Sequence, residues 1–383
     1  MFPTARARPK LFAALASSSL ILGLGLPGGI LAVLAPRPAP GQGPTAKGED
    51  GARAAWRASL ADAPPEVQQF LGRVLEKVPH AGAGVAGYRF TDWQIAGRPT
   101  REALGLKAIP GLDPAKVIPR IMDFGGYPGN LAHVEACRSR PNPAFRPPAK
   151  ARFYQAVRIP AVGRLQQVLV LVDAGTVQGY RLVYWYLHDE TGALDPKDGA
   201  RADYNVGAWL VAPDLVGFAL SSCPRRDDVS TPAWFLLTKG ADALAKGIVE
   251  GNIDGMAAWA EEMEGLQGDW KFAKEGRDEV EQGAVIAGSK ATLYTLRDGR
   301  KKKVEGELTF RVKTTTSPKG IDIFFGPKGC EAEGEPRPWP AIYRVQGDTL
   351  TICAARSVFG PDAMTRPGDF ATGEVIVLRR QGR

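Results

Sequence analysis

The chain has 383 residues, of which 44% are hydrophobic and 23% are charged, and this balance excludes a mainly disordered protein. The length suits two folded domains of ordinary size plus a shorter segment. The formal net charge is +8, but the basic residues are scattered and accompany no nucleic-acid recognition motif, so we expect no nucleic-acid partner. The 45 glycines and 31 prolines favour many turns and therefore many short strands.

The N-terminal segment has the form of an export signal. Three basic residues within the first ten precede an uncharged stretch over residues 11–35, which is long enough to cross a bilayer. A break at Pro27 leaves a shorter apolar part, so a cleaved signal and a retained anchor both stay open. We predict a signal peptide or membrane anchor over residues 1–36 and a Pro- and Gly-rich linker over residues 37–58. Because the positive residues come first, the rest of the chain is expected to be exported, to a periplasmic or other extracytoplasmic location.

The first folded domain is predicted over residues 59–262. A leading helix begins after Asp62, and apolar residues at three- and four-residue spacing over residues 67–78 predict that it packs on the rest of the domain. Extended segments rich in Val, Leu, Tyr and Trp follow, and a short helix begins among them at Asp113. A long helix over residues 240–262 closes the domain.

The order of these elements resembles the START-like superfamily, also called helix-grip or SRPBCC. The resemblance covers residues 85–262 and is carried by one short segment, Asp113-Pro-Ala-Lys-Val-Ile-Pro-Arg-Ile-Met-Asp-Phe-Gly-Gly-Tyr-Pro128. Members of the superfamily have a similar segment with a Trp shortly after the final Pro, whereas Gly129-Asn130 stand here. The resemblance implies an α+β fold in which a curved sheet grips the final helix, with a ligand cavity between them.

Aromatic side chains of the central strands are the candidates to line this cavity. Alternation along a strand places three tyrosines on one face and Trp185 on the other. We predict that the tyrosine face is concave, since a Tyr adds a polar group to an otherwise apolar pocket. The predicted aromatic lining is Tyr180, Tyr184, Tyr186, Trp209 and Phe218.

Glycines recur every four residues on the final helix, at Gly247, Gly251 and Gly255. A stripe of small residues permits close approach by whatever lies over it. Two interpretations stay open: the stripe makes room for a flat ligand, or it seats the helix tightly on its neighbours. On the first interpretation, Gly251 and Gly255 are candidate ligand-binding positions.

The second folded domain is predicted over residues 263–383. Short alternating strands are separated by turns such as Asp298-Gly299, and no helical periodicity appears, which favours a barrel or a sandwich. Five segments resemble the planctomycete paralogous lipocalin-like family and imply an all-β barrel. These segments are Leu266–Trp270, Pro318–Ile323, Ala341–Val345, Gly347–Cys353 and Val375–Arg379.

The start of this domain also matches the lipocalin G-x-W pattern, at Gly268 and Trp270. In lipocalins a late Arg packs across the Trp as a structural cap, and Arg379 is assigned that role here, with Arg380 as the alternative. Inside the barrel, side chains of one parity on a central strand are predicted to point inward: Leu308, Phe310 and Val312. A barrel filled by side chains and a barrel that holds a ligand both stay open.

Two cysteines fall in each predicted domain, and none forms the C-x-x-C pair of a zinc site. In an exported chain, Cys137–Cys223 and Cys330–Cys353 are candidate disulfides, although other pairings, or none, fit the sequence equally.

Known catalytic motifs are absent from the sequence. The three histidines, His80, His133 and His188, lie far apart, and the cluster His188-Asp189-Glu190 has no evident partner. We therefore expect no catalytic residues, no metal and no cofactor. The predicted function is non-catalytic binding of a hydrophobic small molecule or lipid, with the membrane as a further partner if the N-terminal segment is uncleaved. The alternatives are a cyclase- or hydrolase-type enzyme using the same cavity, and a cell-envelope interaction module with both domains filled.

Overall fold

The structure is a computed structural model that describes residues 60, 63–78, 88–94, 101–140, 150–160, 163–239, 241–273, 281–297, 300–325, 338–354 and 365–381. The chain divides into two compact units. The START-like unit comprises Lys47–Gly265 and Val312–Gly320, and the barrel unit comprises Leu266–Arg311 and Ile321–Arg383. The predicted signal or anchor and the predicted linker lie outside the described residues. Among the helices that the structure describes, none combines the length and the apolar character needed to cross a bilayer.

The START-like unit contains the first eight strands and four α-helices of the described chain. The helices are α1 (Pro65–Lys77), α2 (Pro114–Met122), α3 (Thr231–Lys239) and α4 (Ala241–Leu266). The strands are β1 (Tyr88–Gln94), β2 (Arg101–Ala108), β3 (Val134–Ser139), β4 (Lys150–Ile159), β5 (Gly163–Val177), β6 (Tyr180–Leu187), β7 (Ala200–Ala212) and β8 (Leu215–Pro224). Short 3-10 turns connect several of them.

These strands form one sheet in the order β1-β2-β8-β7-β6-β5-β4-β3, with antiparallel neighbours. Helix α4 packs on one face, which we call the α4 face. At Gly105 of β2 a Cβ atom would overlap the side chain of Val249, so the absent side chain lets the helix lie close to the sheet. Nearby, Lys107 Nζ lies 2.6 Å from Asp254 Oδ1. A sheet closed over its last long helix is the helix-grip arrangement, and the predicted α+β class is confirmed.

Helix α1 packs on the opposite face of the sheet, which we call the α1 face. Its apolar stripe includes Phe70 and Val74, both fully buried against side chains of β2, β6, β7 and β8. Beside the stripe, Arg73 donates two hydrogen bonds to Glu102 of β2, at 3.0 and 2.6 Å. Glu102 has no exposed surface, and its hydrogen bonds and charge raise the pKa of Arg73. The pair is therefore a partly buried link between α1 and the sheet.

The barrel unit is built from antiparallel strands that close on themselves. They are β9 (Gly268–Phe272), β10 (Glu281–Ala287), β11 (Lys290–Arg297), β12 (Arg300–Lys313), β13 (Gly320–Phe325), β14 (Trp339–Gln346), β15 (Thr349–Ala354) and β16 (Glu374–Arg380). Their order around the barrel is β10-β11-β12-β13-β14-β15-β16-β9, which confirms the lipocalin-like barrel. Of the residues predicted to point inward, Phe310 and Val312 are buried and Leu308 is half-buried.

The Trp cap of the barrel is made by Arg380, and the assignment to Arg379 is corrected. The Arg380 guanidinium carbon lies 4.2 Å from the centroid of the fully buried Trp270 ring. Arg380 pairs with Trp270 across β16 and β9, whereas Arg379 pairs with Lys271 and is exposed. Since successive side chains of a strand point to opposite faces, only one of the two arginines can cover the ring. Gly268 has a φ of +118°, a backbone conformation that favours glycine.

The proposed disulfide between Cys137 and Cys223 is wrong. Cys137 is on β3 and Cys223 on β8, so four strands of the sheet separate them, far beyond the spacing a disulfide allows. Both are thiols, and Cys223 Sγ lies 3.4 Å from the Pro224 carbonyl oxygen. Cys353 is also a thiol, which donates to the Asp369 carbonyl at 3.6 Å, and Cys330 lies outside the described residues.

Candidate functional site

A cavity of about 100 Å³ lies on the α4 face of the sheet. Strand alternation builds its wall: odd-numbered residues of β4, β5, β6 and β7 line it together with even-numbered residues of β8. Tyr127 and residues of α4 and of the segment 131–134 complete the lining. His133 is exposed, so the cavity reaches the surface beside it. A cavity between the sheet and the final helix is what the helix-grip resemblance implies.

The tyrosine face of β6 does not line this cavity. Tyr180 and Tyr184 are buried in the core beneath α1, and Tyr186 packs against that core. Trp185, one residue out of phase with them, lines the cavity instead. Alternation along β6 was predicted correctly, but the concave face was assigned to the wrong parity, because the position of α4 decides which face is concave.

Two of the predicted aromatic residues do lie in the lining. Trp209 and Phe218 are opposite each other on β7 and β8, and their ring centroids are 4.5 Å apart at an interplanar angle of 66°. Trp185 extends this wall, with its ring centroid 5.2 Å from that of Phe218. The three rings form a continuous aromatic surface at the cavity.

The glycine stripe of α4 packs closely against a neighbouring segment and does not line the cavity. A Cβ atom at Gly251 would lie 2.7 Å from Ala132 Cβ, and one at Gly255 would overlap the carbonyl oxygen of Asn130. At Gly247 nothing lies within 4 Å of such an atom. The tight-packing interpretation therefore describes Gly251 and Gly255, and their assignment as ligand-binding positions is corrected.

A chain of side-chain hydrogen bonds crosses the cavity wall, and the sequence analysis did not identify it. Trp185 Nε1 donates to Asn205 Oδ1 at 2.8 Å, and Asn205 Nδ2 donates to Gln167 Oε1 at 2.7 Å. Gln167 Nε2 then donates to Gln155 Oε1 at 2.8 Å. The three amide residues are at most 9% exposed. We call Trp185, Asn205, Gln167 and Gln155 the amide chain.

The strand arrangement makes the amide chain possible. Because β6 ends at Leu187, the start of β7 pairs directly with β5 in a short parallel stretch, and Asn205 reaches Gln167 across the gap. At Gly207 a Cβ atom would overlap the Trp185 indole, so the absence of a side chain there lets the ring lie across β7. A sequence signal existed: the polar residues share the parity of the cavity wall within otherwise apolar strands.

The cavity lining, all within the described part of the chain, contains no acidic side chain and no Lys or Arg. Its ionisable side chains are His133 and Tyr127. Burial raises the pKa of Tyr127 well above its usual value, and its hydroxyl donates to the Ile121 carbonyl at 2.5 Å. On α4, Asn252 Nδ2 donates to the Ile248 carbonyl at 2.8 Å. His133 and Tyr127 are thus the side chains of the described lining that can exchange a proton.

The cluster His188-Asp189-Glu190 is explained by local structure. His188 Nδ1 accepts a hydrogen bond from the Glu190 backbone nitrogen at 3.3 Å and so caps a 3-10 turn. Glu190 forms an ion pair with Arg152. Elsewhere in the described residues, no group of three or more His, Cys, Asp or Glu side chains is placed to hold a metal ion.

The chain was compared with known proteins. No protein-family model matches it, and no curated protein matches it. Among solved structures it is similar to a STAR-related lipid transfer protein fragment from Xanthomonas axonopodis, with 15% identity, a TM-score of 0.38, and coverage of 47% of this chain and 97% of the other.

Two further structures show the same kind of similarity. Human STARD10 has 12% identity and a TM-score of 0.39, with coverage of 53% of this chain and 84% of the other. The Zhui aromatase/cyclase from a Streptomyces species has 13% identity and a TM-score of 0.28, with coverage of 45% and 94%. The likeness is to START-like structures. At this level of similarity neither a ligand nor an activity transfers to this chain.

Proposed function

We propose that this protein binds a hydrophobic small molecule, or one apolar segment of a lipid, in the START-like cavity without acting on it chemically. The supporting observation is an unfilled cavity with a mainly apolar, uncharged wall, bordered by an aromatic surface and by buried amides. Removing apolar surface from water stabilises a complex by about 25 cal/mol per Å². A wall of this kind therefore favours an apolar ligand over a strongly hydrated polar one.

The volume of the cavity limits the size of the ligand. Pockets for drug-sized ligands measure about 300–1,000 Å³, and an engineered apolar cavity of about 150 Å³ holds one benzene. At about 100 Å³, this cavity matches one small ring or a short piece of an acyl chain. A whole diacyl lipid would require the wall to move apart, so we propose a guest of about the size of a single ring.

The two alternative functions make different demands on the same site. A cyclase or hydrolase needs convergent acid and base groups, and the lining offers only His133 and Tyr127 as ionisable side chains. An interaction module with filled domains needs no cavity. The neutral, open wall therefore favours binding without chemistry.

Native mass spectrometry of the full chain, purified from its host, tests the proposal. We expect a co-purifying small molecule of constant mass, which Leu220→Trp displaces because the larger ring fills the cavity that Leu220 lines. The control is Val375→Trp, which adds the same ring at a position 42% exposed on the barrel. Protein that is repeatedly ligand-free, and that takes up no ring-sized apolar probe, would rule the proposal out.

We also propose that the protein is exported through residues 1–36 and that its barrel is of the planctomycete paralogous lipocalin-like kind. The basic start and apolar stretch support export, and the five matching segments support the barrel type. Cell fractionation with sequencing of the mature N-terminus tests export. A mature chain that begins near residue 36 indicates cleavage, an intact one in the membrane fraction indicates an anchor, and cytoplasmic protein contradicts export.

A further inference from the structure

The direction of the amide chain is determined by its first member. An indole N–H is a donor and has no lone pair to accept, so Trp185 requires Asn205 to present its oxygen. Asn205 must then present its nitrogen to Gln167, and Gln167 must present its nitrogen to Gln155. Every donor in the chain therefore points the same way, from the indole toward β4.

This direction leaves a hydrogen-bond donor at the end of the chain. The Gln155 side-chain oxygen accepts from Gln167, while its amide nitrogen meets no acceptor among the described residues, although Gln155 is only 9% exposed. Since Gln155 lines the cavity, this N–H₂ group is available to a molecule held there. Ser222 adds a second donor, because its oxygen accepts from Asn205 Nδ2 at 3.4 Å and leaves its own proton available.

The electrostatic surroundings of the Gln155 and Ser222 donors restrict which ligands the cavity can bind. A carboxylate or phosphate would need a cation to offset its lost hydration, and the described lining offers no Lys or Arg, while its one histidine, His133, is exposed to water. A pure hydrocarbon would exclude water from the Gln155 amide protons without offering them an acceptor, which weakens its binding. A neutral oxygen that accepts a hydrogen bond satisfies both conditions.

We infer that the cavity selects a neutral, ring-sized apolar molecule that carries one hydrogen-bond-accepting oxygen, such as a ketone, aldehyde, ester or ether, with that oxygen on Gln155. This inference rests on the proposed function and narrows its ligand class. Trp185 acts as a positioning residue, because it sets the orientation of the amides without contributing the terminal donor.

Three probes of similar shape test the inference on the full chain, with affinities measured by isothermal titration calorimetry. They are acetophenone, which has an accepting oxygen, ethylbenzene, which has none, and benzoate, which is charged. We expect acetophenone to bind about tenfold more tightly than ethylbenzene, in line with one buried hydrogen bond, and benzoate not to bind. Equal affinities for acetophenone and ethylbenzene would overturn the inference and leave the proposed function standing. Failure of all three probes to bind would overturn both.

Substitutions then test which residues cause the preference for acetophenone over ethylbenzene. In Gln155→Leu we expect acetophenone to lose its tenfold advantage while ethylbenzene binding is retained. In Trp185→Phe the amides lose their imposed direction, so the advantage should shrink although Gln155 is unchanged. The matched control Gln282→Leu, in the barrel unit, should leave all affinities as they were. A full preference in Gln155→Leu would show that another group holds the oxygen and would contradict the assignment. Should a variant fail to fold, the three-probe comparison on the unaltered chain still decides the question.

Discussion

The two faces of the START-like sheet use alternating residues of the same strands, yet they have opposite properties. On the α1 face, Tyr180, Tyr184 and the stripe of α1 form a packed core, in which the pair of Arg73 and Glu102 and the buried Ser221 are polar. On the α4 face the same strands border a cavity and carry buried amides. The comparison indicates that one face supplies stability and the other supplies a site, because a cavity forfeits packing that a solid core retains.

The largest expected effect contrasts one phenylalanine from each face. Phe70→Ala should lower the free energy of unfolding by about 4 kcal/mol, because a fully buried ring is replaced by a void. Phe218→Ala should cost less, since Phe218 already borders unfilled space. Urea denaturation followed by circular dichroism measures both. Equal losses would remove the distinction between the faces.

The next effect concerns the buried pair on the α1 face. Arg73→Met removes both hydrogen bonds and the positive charge that Arg73 supplies to the buried Glu102 carboxylate, and it should cost about 3 kcal/mol at neutral pH. Loss of the Arg73 charge beside this buried carboxylate raises the pKa of Glu102 in the variant, so the folded variant binds a proton there more readily than the folded unaltered chain does. The deficit should therefore shrink as the pH falls toward 4. The double variant Arg73→Met/Glu102→Leu should recover much of the loss, and a pH-independent deficit would contradict this account.

A smaller effect tests how α4 is seated over the cavity. Gly255→Ala should cost about 2 kcal/mol, because the new methyl group overlaps the Asn130 carbonyl. Gly247→Ala is the matched control, with nothing within 4 Å of the added atom, and it should be neutral or stabilising because alanine has the higher helix propensity. Thermal unfolding of both variants measures the difference. The same change in both would show that the stripe does not seat α4.

The smallest effect appears at alkaline pH on the α1 face. Burial raises the pKa of Tyr180 to about 12 from its usual value near 10. Its stabilising contribution is therefore complete below pH 10 and is lost as the pH rises from 10 to about 12, amounting to about 1 kcal/mol at pH 11. Comparing urea unfolding of Tyr180→Phe with the unaltered chain at pH 9 and pH 11 isolates this contribution. If both proteins lose the same free energy of unfolding between pH 9 and pH 11, the loss comes from another titrating group.

Periodicity in the sequence predicted the alternation within β6 and a barrel or sandwich for the second domain, whereas the helix-grip class of the first domain was predicted from its resemblance to the START-like superfamily. Periodicity was not enough to assign a concave face, since Tyr184 and Trp185 are equally plausible lining residues until α4 is placed. The same one-residue ambiguity separates Arg379 from Arg380, where only the register of β16 against β9 brings one arginine over Trp270. Strand order excluded the predicted disulfide, because Cys137 and Cys223 belong to strands that are not neighbours.

The sequence by itself determined a first unit of strands with a leading and a closing helix, followed by a unit of short strands, because hydrophobic period and turn residues act over short distances along the chain. Tertiary structure alone decided where the cavity lies and what lines it. Gln155, Gln167, Trp185 and Asn205 come from four different strands, and they meet because β6 ends early and Gly207 makes room for the indole. Contacts between residues so far apart in sequence depend on strand order and on which face of the sheet a helix covers. A local sequence pattern predicts neither of these.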